Sequence, residues 1–239
     1  MAYQSVFKRY ELKYLLTKAQ KERILCAMEP YMALDQYGRT TIRNIYLDTD
    51  NYLLIRRSIE KPAYKEKIRL RSYSRASAGR DIFVELKKKY KGVVFKRRIT
   101  LPESQALAWA AGTRPAGQAS QIADEIDYFI RFYGTLNPAV YLCYDREAYF
   151  AKDGTDFRIT FDDTVLCRRT GLTLDSDPGG TPILPEGMVL MEVKCAGGVP
   201  LWLTKVLTEE RVFKTSFSKY GTAYEKLIYP NLKEEATHV

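Results

Sequence analysis

Residues 63–100, AYKEKIRLRSYSRASAGRDIFVELKKKYKGVVFKRRIT, read as three consecutive β-strands. Alternate side chains of a strand share a face, so spacing in twos sorts residues between the two sides of a sheet. In the first strand Lys65, Lys67, Arg69, Arg71 and Tyr73 fall on one face, with Ile68 and Leu70 on the other. In the second, Glu85, Lys87 and Lys89 oppose Val84 and Leu86; in the third, Lys96 and Arg98 oppose Phe95 and Ile99. A solvated antiparallel face whose cations blunt aggregation accounts for one such strand. Three in succession, with Glu85 among the cations, shift the balance towards an anionic ligand.

The alternation recurs outward in both directions. Arg9, Glu11 and Lys13 share a face against Tyr10, Leu12 and Tyr14, and Tyr144 and Arg146 share one in PAVYLCYDREAYF. Arg158, Thr160 and Asp162 share one in FRITFDD, and Glu192 and Lys194 share one opposite Met191 and Val193. A sheet charged on one face and aliphatic on the other is expected to close into an antiparallel β-barrel with a polar, basic lumen and helices outside, an α+β fold. Many cations and few carboxylates suit a long polyanion with a divalent metal.

One domain is expected over residues 1–239, with a helical insert at about 102–133. Thr17 can cap a helix reaching about Tyr31, and Asp50 or Thr49 can cap a short helix, NYLLIRRSIE, that carries Arg56 and Arg57 towards a barrel mouth. SRASAGR reads as a loop, KKYKG as a hairpin turn closed by Gly92, and LDSDPGGTPILPEG as a connection. PLWLTKVLTEERVF reads as a helix; Ser218, Lys219 and Tyr220 then precede a last short helix, and the tail KEEATHV is expected to fray.

The formal net charge of +9 implies an anionic partner: nucleic acid, an acidic membrane surface or a phosphorylated small molecule. Cations that alternate along strands, without a basic helical stripe interleaved with aromatics, weigh against nucleic acid. No apolar run of about 18 residues and no signal-peptide pattern occur, so a cytoplasmic location is expected, peripheral to a membrane at most. The scattered Cys26, Cys143, Cys167 and Cys195 make no zinc or redox pair, and the sole histidine, His238, leaves no His-based triad. Any metal is therefore held mainly by carboxylates and substrate oxygens. No phosphate-binding loop, dinucleotide fingerprint or kinase motif set occurs, so side chains must grip phosphate.

The ordered stretches YELKY, EKIRLRSYS, FVELKKK, VFKRR, YDREAY, LMEVKC and FSKYG resemble the polyphosphate polymerase domain of the vacuolar transporter chaperone complex, in the triphosphate tunnel metalloenzyme superfamily. The resemblance implies an antiparallel tunnel barrel that transfers the ATP γ-phosphate to inorganic polyphosphate with Mn²⁺ or Mg²⁺. Lys13, Arg69, Arg71, Lys87, Lys96, Arg146 and Lys219 match its phosphate-gripping residues, Ser218 a further phosphate contact and Glu192 its metal-binding glutamate. Lys194 and Glu85 lie in the motifs, and Arg57 aligns loosely with a helix arginine. The face pattern adds Lys67, Arg98, Tyr144 and Arg158 as substrate contacts, and Glu85 and Glu11 as further candidate metal ligands. Other tunnel enzymes begin Glu-x-Glu-x-Lys; Arg9 replaces the first glutamate here, which disfavours a two-metal hydrolytic site. Triphosphate hydrolysis, polyphosphate binding without turnover and an integral membrane partner for the product remain open alternatives at this level.

Overall fold

The structure, a computed structural model, describes residues 10–76 and 81–237, with side chains through Lys233. Arg9, residues 77–80 of the SRASAGR loop and His238 lie outside the described residues. The strands are β1 (Tyr10–Thr17), β2 (Met32–Leu34), β3 (Thr40–Asp48), β4 (Tyr64–Ser72), β5 (Asp81–Tyr90), β6 (Val93–Pro102), β7 (Asn137–Ala151), β8 (Phe157–Arg168), β9 (Thr181–Pro182), β10 (Met188–Cys195) and β11 (Lys214–Thr215). The helices are α1 (Lys18–Met28), α2 (Leu53–Ile59), α3 (Glu103–Ala110), α4 (Gln121–Tyr133), α5 (Leu201–Glu209), α6 (Lys219–Ala223) and α7 (Tyr229–Thr237), with a π-helical stretch at Tyr224–Ile228. Among the described residues no helix is long and apolar enough to cross a membrane.

The strands hydrogen-bond in the order β11-β1-β10-β8-β7-β3-β4-β5-β6, with β2 on β7 and β9 on β8. This corrects the expected closed barrel. β11 and β6 end the path, and no pairing among the described residues joins them. Alternation reports which face a residue takes, whereas closure depends on strand number, tilt and stagger, which alternation does not encode. Contacts divide the chain into two compact units: Met1–Thr41, Tyr144–Val165 and Leu184–Ser218 make one, and Ile42–Cys143, Leu166–Ile183 and Lys219–Val239 the other.

In the first unit β1 pairs antiparallel with β10, and β10 with β8, placing Lys13 beside Glu192 and Glu192 beside Thr160. The opposite faces of these strands supply Leu16, Phe161, Met191 and Val193 to a core that also takes Ile24 and Met28 of α1 and Leu203 of α5. A capping box starts α1: the Thr17 hydroxyl accepts from the Gln20 amide, and the Gln20 side chain accepts from the Thr17 amide. The helix stops at Met28 instead of the expected Tyr31, because Pro30 lacks the amide hydrogen that would continue the ladder. Met32–Leu34 then pairs with β7 as a strand that periodicity alone did not reveal.

In the second unit β3, β4, β5 and β6 form an antiparallel meander. Tyr90 pairs with Val93, leaving Lys91 and Gly92 as a two-residue turn in which both have positive φ, 44° and 88°. That is the handedness a right-twisted hairpin needs, and Gly92 takes it without a Cβ clash. The apolar face, with Ile68, Leu70, Val84 and Leu86, packs with Trp109 of α3 and with Ile126, Phe129 and Ile130 of α4. Ser120 caps α4 by accepting from the Ala123 amide, and each large side chain it buries contributes about 1.5–3 kcal/mol.

Of the two residues expected to cap α2, Thr49 accepts from the Leu53 amide, with Asp48 accepting from Leu54 and Ile55, while Asp50 accepts from the Asn137 side chain. One local expectation is corrected: Lys219 and Tyr220 open α6 instead of preceding a helix, and the last helix, α7, runs to Thr237. The Pro/Gly-rich segment is held as a connection, because the Arg168 guanidinium donates to the carbonyls of Thr170, Gly171, Asp177 and Gly179 and lies 3.6 Å from the Tyr141 ring centre.

Candidate functional site

Two charged clusters arise, one in each unit, from the same period-two arithmetic. In the second unit, register lines up Tyr46, Arg69, Glu85 and Arg98 across β3 to β6, with Lys67, Lys87 and Lys96 in the neighbouring row. Glu85, 1% exposed, is the centre. Its Oε2 accepts from Arg69 Nε at 2.9 Å and Nη2 at 2.8 Å, and Arg71 Nε lies 3.7 Å away. Its Oε1 accepts from Arg98 Nε at 2.8 Å, from Arg98 Nη2, and meets Lys96 Nζ at 2.7 Å. The guanidiniums are steadied from outside: Arg69 donates to the Tyr46 hydroxyl at 2.9 Å, Arg71 to Asn44 Oδ1 at 2.9 Å and Arg98 to the Tyr73 hydroxyl at 3.0 Å.

One carboxylate among four cations leaves a surplus of positive charge, and the row of Lys67, Lys87 and Lys96 adds like charges on adjacent strands, an arrangement that disfavours folding by itself. Burial opposes ionisation of Glu85, yet Arg69, Arg71, Lys96 and Arg98 hold it well below the usual carboxylate range. Desolvation, against the pull of Glu85 and with the help of Arg98 and Arg69, brings Lys96 down to about 7. Burial would raise the Tyr46 phenol, but Arg69 and Arg71 hold it below its ordinary value. Lys219, 9% exposed at the start of α6, contributes to the positive field at Tyr46.

The Lys96 shift gives a pH prediction. A polyanion bound here would restore the proton that Lys96 loses above pH 7, so its binding would take up a proton and weaken as pH rises. Tripolyphosphate affinity is expected to fall about tenfold between pH 7 and pH 9, short of the ceiling for one proton because Lys96 keeps a solvent-exposed edge. Calorimetry in buffers of different ionisation enthalpy at pH 8 checks the proton uptake, and Lys96→Met should flatten the profile.

The first unit holds a cluster of different balance. Arg146 forks onto Asp162, Nε to Oδ1 at 2.5 Å and Nη2 to Oδ2 at 2.6 Å, and reaches Glu192 Oε2 at 3.1 Å. Lys13 Nζ lies 3.5 Å from both Glu11 and Glu192 and donates to the Phe217 carbonyl at 3.1 Å, while Lys194 approaches Glu192 at 3.9 Å. Although burial opposes its charge, Asp162, the Tyr144 phenol and Glu192 keep the Arg146 guanidinium protonated well above its ordinary range. Its guanidinium lies 5.2 Å from the Tyr144 ring centre, and the exposed Arg158 packs 4.5 Å from that of Phe150.

Several expected residues are thus gathered and others are not. Arg69, Arg71, Lys96 and Arg98 meet on Glu85, and Lys13, Arg146 and Lys194 meet on Glu192. Arg57 stands near Tyr133 of α4, whose phenol it pulls down against the burial that raises it. Asn44, Tyr46 and Asp48 went unread as site residues, although spacing in twos along TTIRNIYLDT puts them on one face. Among the described residues no group of three or more His, Cys, Asp or Glu could hold a metal by itself. Glu85 and Glu192 each have both oxygens met by cations, but those on Glu192 stand farther off, Lys13 at 3.5 Å, Lys194 at 3.9 Å and Arg146 at 3.1 Å, and Glu11 shares Lys13 with it.

The family model described as the VTC domain matches residues 8–228. This chain belongs to the VTC domain family. No curated protein matches this VTC domain. A candidate adenylate cyclase from Bacillus halodurans aligns with it at a TM-score of 0.54 and 14% identity, covering 88% of this chain and 95% of its own. A candidate adenylate cyclase from Vibrio parahaemolyticus aligns at a TM-score of 0.48 and 13% identity, covering 92% and 98%. The first likeness shows that the VTC domain here shares the fold of that Bacillus halodurans protein, with its sheet unclosed among the described residues.

Proposed function

We propose that this VTC domain is a metal-dependent polyphosphate polymerase that transfers the γ-phosphate of ATP to inorganic polyphosphate and releases ADP. The observation that carries the reading is the Glu85 cluster, four cations oriented by one buried carboxylate beside a row of lysines. Phosphoryl transfer is mainly positioning and charge neutralisation, which such a surface supplies. Arg69, Arg71, Lys87, Lys96 and Lys219 grip phosphate oxygens, with Lys67 and Arg98 beside them. Glu85 orients the guanidiniums instead of taking a metal. In the first unit Lys13, Arg146, Arg158, Lys194, Tyr144 and Ser218 contact substrate.

Mn²⁺ or Mg²⁺, when bound, neutralises charge on the transferring phosphate, and Glu192 with Glu11 would hold it. An oxygen of the terminal polyphosphate phosphate forms the new bond to the γ-phosphorus; the bond from that phosphorus to the β–γ bridging oxygen breaks, and ADP leaves with the electron pair. That nucleophile is already anionic and needs no general base, which accords with a chain whose only histidine is His238. Hydrolysis instead requires water to be oriented and activated.

Purified protein with ATP and Mn²⁺, resolved by gel and by ³¹P NMR, tests the reading. Polyphosphate with matching ADP is the expected product. Orthophosphate alone would make it a hydrolase, and unchanged ATP with tight polyphosphate binding a non-catalytic module. Arg71→Ala and Glu192→Gln are each expected to slow synthesis about 10- to 100-fold; synthesis intact in both would overturn the site assignment.

A further inference from the structure

Asp48 ends β3 and is 1% exposed. Its Oδ1 accepts from the Thr49 and Leu54 amides, each at 2.9 Å, and its Oδ2 from the Ile55 amide at 3.0 Å and the Tyr220 hydroxyl at 2.8 Å. Tyr52, at the start of α2, takes the left-handed conformation with φ 57° and supplies no side-chain cap, so the buried carboxylate does that work. The Tyr220 ring stacks on Tyr46 with centroids 4.5 Å apart, and Tyr46 accepts from Arg69 Nη1 at 2.9 Å. Lys67 Nζ stands 5.9 Å from the Tyr220 ring centre, and Lys219 is the preceding residue in α6. A continuous path therefore runs from Asp48 through two stacked phenols to a guanidinium on Glu85.

We propose that Asp48 and the Tyr220 hydroxyl are a positioning pair: their hydrogen bond sets the Tyr220 ring, and through the Tyr220–Tyr46 stack the bond that aims Arg69, for phosphate binding. Neither residue touches substrate. The proposal rests on the phosphate-gripping reading of the Glu85 cluster. It assigns to the tyrosine of FSKYG a role separate from that of its neighbour Lys219. Without the bond the Tyr220 ring can slide on Tyr46, and Arg69 loses the fixed partner that holds its second edge while Glu85 holds the first.

The test is calorimetric titration of the full chain with inorganic tripolyphosphate, for wild type, Tyr220→Phe, Arg69→Ala and the double variant. Tyr220→Phe keeps the ring and removes only the hydroxyl; it should weaken binding about tenfold, the scale of one lost hydrogen bond, while the melting temperature falls by only a few degrees and the fold is kept. On the Arg69→Ala background the same change should cost less than about twofold, because the group it acts through is gone. Asp48→Asn, which keeps an acceptor but not the charge, should fall between. Unchanged binding by Tyr220→Phe, or an equal tenfold loss on both backgrounds, overturns the pair while leaving the phosphate reading intact. A wild type that does not bind tripolyphosphate overturns the phosphate reading, and this proposal with it.

Discussion

Glu85→Gln is expected to lower polyphosphate synthesis about 10²- to 10³-fold, a larger loss than removal of any single cation around it. The substitution keeps shape and loses charge. Arg69, Arg71, Lys96 and Arg98 would then face one another across a site 1% exposed at its centre, without the anion that spaces them. The expected stability cost is about 3 kcal/mol, at the low end for a broken buried pair because several of the cations keep contact with water. Melting should fall by about 6–12 °C. Tripolyphosphate should restore much of that loss, since a bound polyanion supplies the missing charge, and should raise the melting temperature of the variant more than that of wild type. The pH dependence follows from the depressed carboxyl. Stability from Glu85 is complete above its unfolded value of about 4.3 and is lost progressively as pH falls from there to its much lower folded value. Synthesis within a factor of two of wild type would refute the orienting role.

Arg146→Ala should be the most damaging change to stability in the first unit, by about 3–5 kcal/mol or roughly 10 °C in melting temperature. The guanidinium is the shared counter-ion of Asp162, which is fully buried, and of Glu192, 8% exposed in its side chain. Its removal takes the fork from the buried Asp162, while Glu192 keeps Lys13 at 3.5 Å and Lys194 at 3.9 Å. Arg146→Lys should recover only part of the loss, because an ammonium cannot reproduce the two parallel bonds of the fork. Arg146→Met combined with Asp162→Asn should recover more, since the fully buried partner is then neutral while Glu192 keeps Lys13 and Lys194 beside it. Thermal melts followed by circular dichroism distinguish these outcomes. A melt of Arg146→Ala within about 2 °C of wild type would show that the fork contributes little.

Much of the site was legible because strand side chains have a period of two. Arg69, Arg71, Glu85, Lys87, Lys96 and Arg98 sort onto one face by counting, and antiparallel register then brings Arg69 beside Glu85 and Glu85 beside Arg98. Glu192 and Lys13 were legible in the same way. Counting along TTIRNIYLDT also aligns Asn44, Tyr46 and Asp48, but their polar groups signal nothing until the partners Arg71, Arg69 and Tyr220 are known. The role of Glu85 could not be read from its residue type, since a carboxylate among cations suits a metal ligand and a guanidinium clamp equally well.

By itself the amino-acid sequence determined the strand faces, the cap at Thr17, the hairpin at Gly92 and the excess of cations, because each depends on spacing within one element or on composition. Tertiary structure alone decided that the strand path stays open among the described residues, that Asp48 joins Thr49 in capping α2, that Arg57 lies against Tyr133 and that both oxygens of Glu85 are taken by cations. Those outcomes depend on which segments meet across many residues of chain. Hydrogen bonds and ion pairs form between the groups that packing brings together, and no local period records that meeting.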